Sequence, residues 1–110
     1  MTIEDALTEK SVHEAWRLHS EYRVSVGELT QQVRIRIWKG CKGASNYCYT
    51  QSHYVHTPLQ AGPYRSNAIF ADDEASALQL AVRSLTTFYD EAVGANRQPD
   101  DSWLVPNNYF

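Results

Sequence analysis

The sequence predicts an α+β fold: a two-layer α-β-β-β-α arrangement in which a three-stranded antiparallel sheet is covered on one face by two helices. Three observations predict it. Apolar residues recur at helical spacing near both ends, the period changes to two from Leu29, and Gly40, Gly43, Pro58, Gly62 and Pro63 punctuate the middle as turn residues do.

Taken in order, Thr2 to about Arg23 has helical spacing in Ile3, Ala6 and Leu7 and again in Val12, Ala15, Trp16 and His19. Thr2 and Ser11 both suit N-caps, and Ser11 with Glu14 has capping-box spacing, so the segment is one helix or a short helix leading into a longer one. From Leu29, the residues Leu29, Gln31, Val33, Ile35 and Ile37 alternate with Thr30, Gln32, Arg34, Arg36 and Trp38, which is the pattern of a strand with one buried face. A turn at Gly40–Gly43 leads to a second strand, antiparallel to the first, over Asn46 to His56, where tyrosine, threonine and valine suit a pleated surface. In it Tyr47, Tyr49 and Val55 are expected inward, with Thr50, Ser52, Tyr54 and His56 outward. Tyr64 to Phe70 is the third strand.

Asp72 or Asp73 caps the final helix, and the acids at 72, 73 and 74 suit the positive end of its dipole. That helix has apolar residues at 75, 78, 81, 82, 85, 88, 89 and 92, a stripe that faces a core, and Gly94 stands where a left-handed C-terminal residue is expected. Residues 1–101 form the domain. Residues 102–110, with Trp103, Leu104, Val105, Tyr109 and Phe110, form an aromatic tail that folds back on the domain or pairs with a sheet edge in a second copy, giving a homodimer.

With 110 residues, 43% hydrophobic and 21% charged, the chain is long enough for one core without cross-links. Its longest apolar runs fall far short of a bilayer span, and Glu4, Asp5 and Glu9 occupy the amino end where a signal would be basic. Two cysteines, Cys41 and Cys48, are too few for a disulfide framework, so a cytoplasmic, reducing setting is expected. The net charge of −3 argues against a whole-molecule grip on phosphate backbones. That figure conceals a division. No acid lies between Leu29 and Ala71, whereas Arg34, Arg36, Lys39, Lys42 and Arg65 do; outside this stretch all thirteen acids face five basic residues. Alternation turns Arg34, Arg36 and Trp38 onto the wet face of the sheet, and Arg65 joins them if Phe70 points into the core.

The residues with chemical potential do not assemble into a catalytic or metal motif. Cys41, Cys48, His53 and His56 lie within sixteen residues, but their gaps are not those of zinc knuckles. Lys39 and Lys42 flank Cys41 and would favour its thiolate, yet no carboxylate in that segment could orient a histidine base. Lys39 to Ser45 lacks the glycine spacing of a phosphate-binding loop. The pairs Asp72/Asp73, Asp90/Glu91 and Asp100/Asp101 read as caps and solvated faces, and His13 and His19, six apart, do not share a helix face.

The order helix, three strands, helix resembles that of the double-stranded RNA-binding domain, and Gly62-Pro63-Tyr64-Arg65 is similar to that family's glycine-proline loop. In that family the loop joins the first two strands and lysines open the second helix. Here it precedes the third strand, and Asp72-Asp73-Glu74-Ala75-Ser76 would repel phosphate. No residue role is transferred.

The function expected from these features is a small non-enzymatic protein-binding module without cofactor. It would be an inhibitor or adaptor of a nucleic-acid-handling complex, comparable by analogy with the anti-CRISPR proteins of phages and mobile elements. Its candidate contacts are Arg34, Arg36, Trp38, Lys39, Lys42, Tyr54, His56 and Arg65 on the basic side and Asp72, Asp73 and Glu74 on the acidic helix. The alternative is a nucleic-acid-binding protein that stacks bases on the aromatic residues of the basic sheet face.

Overall fold

The computed structural model describes residues 1–110. The chain runs α1 (Ile3–Ala6), β1 (Ala15–Val24), β2 (Val33–Lys42), β3 (Tyr47–Gln51), β4 (His53–Val55), β5 (Phe70–Ala71), α2 (Glu74–Gly94), a 3-10 turn (Asp101–Trp103) and β6 (Leu104–Pro106). It is an α+β fold with a four-stranded antiparallel sheet in the order β1-β2-β3-β5 and a small antiparallel pair, β4-β6. The molecule is elongated, 57 × 23 × 22 Å, because β1 and β2 are ten residues each while β3 pairs only with Ile35–Lys39. No helix is long and apolar enough to cross a membrane.

The largest departure from the sequence expectation is at the amino end. Thr2 does cap a helix, with a reciprocal capping box to Asp5, but the helix stops at Ala6 and Ala15–Val24 is the edge strand of the sheet. One long helix, α2, therefore covers the sheet instead of two. The physical reason lies in Trp16, Leu18, Ser20, Tyr22 and Val24, which alternate with charged residues at a period of two. Two register shifts, at Ala15/Trp16 and Leu18/Ser20, then turn the strand. The second makes His19 and Ser20 oppose one position of β2, so Leu18 faces one side with Trp38, while Ser20 and Tyr22 face the other with Ile37 and Ile35.

The core lies between α2 and the face that holds Val33, Ile35, Ile37, Tyr49 and Gln51, all buried. Ala77, Ala81, Ser84, Leu85, Tyr89 and Ala92 supply the helix side, a stripe shifted from the expected one: Ala75 is exposed and Leu78 only partly buried. Small residues at 77, 81 and 84 let α2 sit close on the strands, and Ser84 Oγ donates to Gln51 Oε1 at 2.9 Å inside this layer. The helix start agrees with expectation, since Asp73 accepts from Ser76 N at 2.7 Å. Its end differs: Gly94 is the last helical residue, and Asn96, at φ 63°, takes the left-handed conformation. Arg97 N then donates to Ala92 O and Asn96 N to Val93 O, each at 3.0 Å, a Schellman closure built on asparagine.

The second expected strand breaks at Ser52, whose hydroxyl accepts from Arg34 N at 2.8 Å. Beyond it the chain leaves the main sheet and pairs with the tail instead. Of Tyr64–Phe70, only Phe70 enters a strand. The tail folds back: β6 pairs with β4, and Trp103 and Leu104 join the main core, with the Trp103 ring edge-on to Tyr89 at 5.8 Å. Trp103 ends the 3-10 turn begun at Asp101, so no boundary separates residues 102–110 from the domain.

Candidate functional site

One face of the main sheet is packed under α2; the other is open. Register places Leu18, Trp38, Cys48 and Phe70 in one row across β1, β2, β3 and β5, because Leu18 opposes Trp38, Trp38 opposes Cys48 and Cys48 opposes Phe70. Trp16 adjoins this row, its ring 5.9 Å from that of Phe70. Leu18, on the edge strand β1, is 47% exposed and Phe70, on the opposite edge strand β5, 54%, so the row ends in exposed apolar side chains on both sides. The sequence reading puts Arg65 on the basic face on condition that Phe70 points into the core; its pairing with Cys48 turns Phe70 outward. Trp38 Nε1 donates to Thr50 Oγ1 at 2.9 Å, so the indole is fixed by its cross-strand neighbour.

Next to the aromatic row lies the charged part of the same face. Glu21 opposes Arg36, and Arg23 opposes Arg34. Arg34 grips Glu21 with two bonds, Nε to Oε2 at 3.2 Å and Nη2 to Oε1 at 3.0 Å, while Arg36 Nε reaches Oε1 at 2.8 Å. These bonds, from Arg34 first and Arg36 second, hold the Glu21 carboxyl below its ordinary pKa. The C-terminal ring of Phe110 lies against both guanidiniums, 3.9 Å from Arg36 Cζ and 5.1 Å from Arg34 Cζ. The expected uninterrupted basic stripe is thus a cluster closed by an acid and a ring. The acid comes from β1, the element read as helix.

The other sequence candidates scatter. Lys39 lies on the helix-side face beyond α2, its ammonium on Ser45 O and 4.7 Å from the Tyr47 ring. Lys42 holds the amino-terminal segment through Leu7 O and Glu9 O. Tyr54, on β4, and Arg65 form a separate pair, the guanidinium 4.9 Å from the ring. His56 Nε2 meets Gln60 O at 3.1 Å within its own loop.

At the start of α2, Asp72 is exposed, Asp73 is spent on the cap, and Glu74 is bound by Tyr22 Oη and His19 Nε2. The hydrogen bond from Tyr22 is the main cause of the lowered Glu74 pKa, and that from Ser76 lowers Asp73. The acidic end therefore staples helix to strand.

Cys41 Sγ meets Ala15 O at 3.4 Å, and burial pushes the Cys48 thiol pKa up. His53 pairs with Ser52 Oγ at 2.8 Å, and burial lowers its pKa. No three His, Cys, Asp or Glu side chains converge on a metal position. Sequence reasoning missed Trp16, Leu18, Glu21 and Phe70 as members of the open face. The period of two over residues 16–24 is the signal that would have found the strand with Trp16 and Leu18 on one face; only the bulge at His19 brings Glu21 to that face. Compared with known proteins, the chain matches no family model, no curated protein and no solved structure.

Proposed function

We propose that the chain is a non-enzymatic protein-binding module, of the inhibitor or adaptor kind, and that its contact surface is the open sheet face. The observation that supports this is the row Trp16, Leu18, Trp38 and Phe70, apolar and partly exposed, flanked by the Arg23, Arg34, Arg36 and Glu21 cluster. Tryptophan, phenylalanine and arginine are the residues in which binding energy concentrates, and an apolar centre with a charged rim is the anatomy of an interface. The partner fitting it presents an apolar patch with an acidic border that meets Arg23 and the outer edges of Arg34 and Arg36. The acidic helix start is the weaker candidate for contact, because Asp73 and Glu74 already spend their oxygens within the fold.

The rival reading, nucleic acid on the same face, loses strength from the same geometry. Arg34 and Arg36 would have to leave Glu21 and Phe110 to reach phosphates, and Glu21 would repel them.

A photo-crosslinking residue at Leu18, and another at Arg83 on the exposed side of α2, separate the readings in the native host. The protein-binding reading expects one protein adduct from position 18, none from position 83, and loss of the adduct on Phe70→Asp. Equal adducts from both positions, or saturable and salt-sensitive binding of an oligonucleotide in place of a protein, would overturn it.

A further inference from the structure

A pocket of about 200 Å³ lies between β3, β4, the loop before β5 and the residue that follows β6. It adjoins the aromatic row at Thr50, whose hydroxyl holds the Trp38 indole. Its wall contains one cation, Arg65, and no acid. Arg65 has no carboxylate within ion-pair distance, since the ion pairs of the molecule involve only Arg34, Arg36 and His19.

The polar groups of the wall divide into spent and unspent. Gln51 is spent: its Nε2 donates to His53 O at 2.7 Å, and its Oε1 accepts from Ser84. Asn107 is spent as well, with Nδ2 donating to Gln51 O at 2.8 Å and Oδ1 accepting from Tyr109 N at 3.0 Å. The hydroxyls differ. Thr50 Oγ1 accepts from the Trp38 indole and Ser66 Oγ accepts from Ala68 N at 3.1 Å, and each keeps its own proton to give. The groups left to a ligand are the guanidinium, which lies 4.9 Å from the Tyr54 ring, and the hydroxyls of Thr50, Ser66, Tyr49 and Tyr54; each of them can donate, and no carboxylate competes for them. Both amides are held in place by these bonds to the fold. Ile69 and Tyr49 supply an apolar side.

We infer that this pocket binds a small monocarboxylate, its two oxygens on the Arg65 guanidinium with Thr50 and Ser66 donating beside it, and its apolar body against Ile69 and Tyr49. A guanidinium fork matches the planar pair of carboxylate oxygens, and a single cation balances one negative charge better than the two of a phosphate monoester. This inference rests on the pocket and does not require the open-face reading, although the two surfaces meet at the Thr50–Trp38 bond.

The test is titration of the full chain with benzoate, followed by the amide signals of Thr50, Arg65 and Ser66, with benzamide and inorganic phosphate as comparison probes. Benzoate shifts these signals saturably, with Kd on the order of 1 mM as suits so small a ligand. Benzamide, the neutral isostere, does not. Arg65→Gln weakens benzoate binding by about tenfold, Ser66→Ala weakens it less, and Arg83→Gln on α2 leaves it unchanged. Arg65 is exposed, so its variant keeps the fold, checked by an unaltered melting curve. Absence of saturable shifts with benzoate, equal binding by benzamide, indifference to Arg65→Gln, or tighter binding of phosphate than of benzoate would each overturn the assignment.

Discussion

Glu21 on β1 and Arg34 on β2 lie diagonally across two paired strands, joined by two hydrogen bonds at 3.0 and 3.2 Å. Arg36, directly opposite Glu21, adds a third at 2.8 Å. One carboxylate therefore ties two guanidiniums that would otherwise repel each other along β2. Glu21→Gln leaves both cations facing each other without a counter-charge, and the denaturant midpoint at pH 7 is expected to fall.

The pH dependence of that loss follows from the lowered Glu21 pKa. In the unfolded chain the group titrates at about 4.3. The folded value lies below it, so the unfolded chain takes up the proton first on acidification. The stabilisation is then complete above the unfolded value and disappears as pH falls through the folded one. Chemical denaturation of wild type and Glu21→Gln at a series of pH values should show midpoints that differ at pH 7 and converge in strong acid. A difference that persists unchanged at low pH would mean that shape, not charge, carries the effect.

The same pair shows why the sequence was legible in some places and not in others. The alternation of Val33, Ile35 and Ile37 and the capped, striped helix after Asp73 were readable because a single period governs each. Residues 15–24 were not, because a bulge at His19 interrupts their period of two, and the spacing Val12, Ala15, Trp16, His19 imitates a helix turn. That one misreading removed Glu21 from the sheet and made the basic face look free of acid. Phe110 against Arg36 had no local signal at all, since the two residues stand 74 positions apart and the chain between them must fold to bring the tail there.

The turn between β1 and β2 is a sensitive point. Gly27 is at φ +50°, and a Cβ there would overlap the Tyr89 ring, whose hydroxyl accepts from Glu28 N at 3.0 Å. Gly27→Ala adds backbone strain to a clash with a buried ring, and a loss of about 2 kcal/mol or more is expected. Gly94→Ala is the control: it is helical, with open space around the added carbon, and should gain about 0.5 kcal/mol. Thermal melts of the two variants should move in opposite directions.

The tail is a structural element, so its removal is costly. Trp103 is 4% exposed and closes the core beside Tyr89, and β4 has no partner other than β6. Trp103→Ala should cost about 3–5 kcal/mol. A chain ending before residue 102 should lose its cooperative melt rather than remain folded with altered association. A truncated chain that stays folded and monomeric while the full chain is dimeric would instead place the tail at an interface between copies.

A buried serine, Ser84, and a half-buried one, Ser20, should respond to the same substitution with opposite signs. The one Ser84 hydroxyl proton is shared between Gln51 Oε1 at 2.9 Å and Ala81 O at 2.6 Å in the layer between α2 and the sheet, so Ser84→Ala takes a donor from two buried oxygens and should cost about 1–2 kcal/mol. The Ser20 hydroxyl, turned toward the same layer by the bulge in β1, is buried with no hydrogen-bond partner. Its removal takes away an uncompensated polar group and leaves none behind. Ser20→Ala should therefore be neutral or raise stability by up to about 1 kcal/mol. Urea titrations of the two single variants decide it: a loss in Ser20→Ala comparable to that in Ser84→Ala would show that the Ser20 hydroxyl is satisfied in solution and that the bulge serves to make a bond.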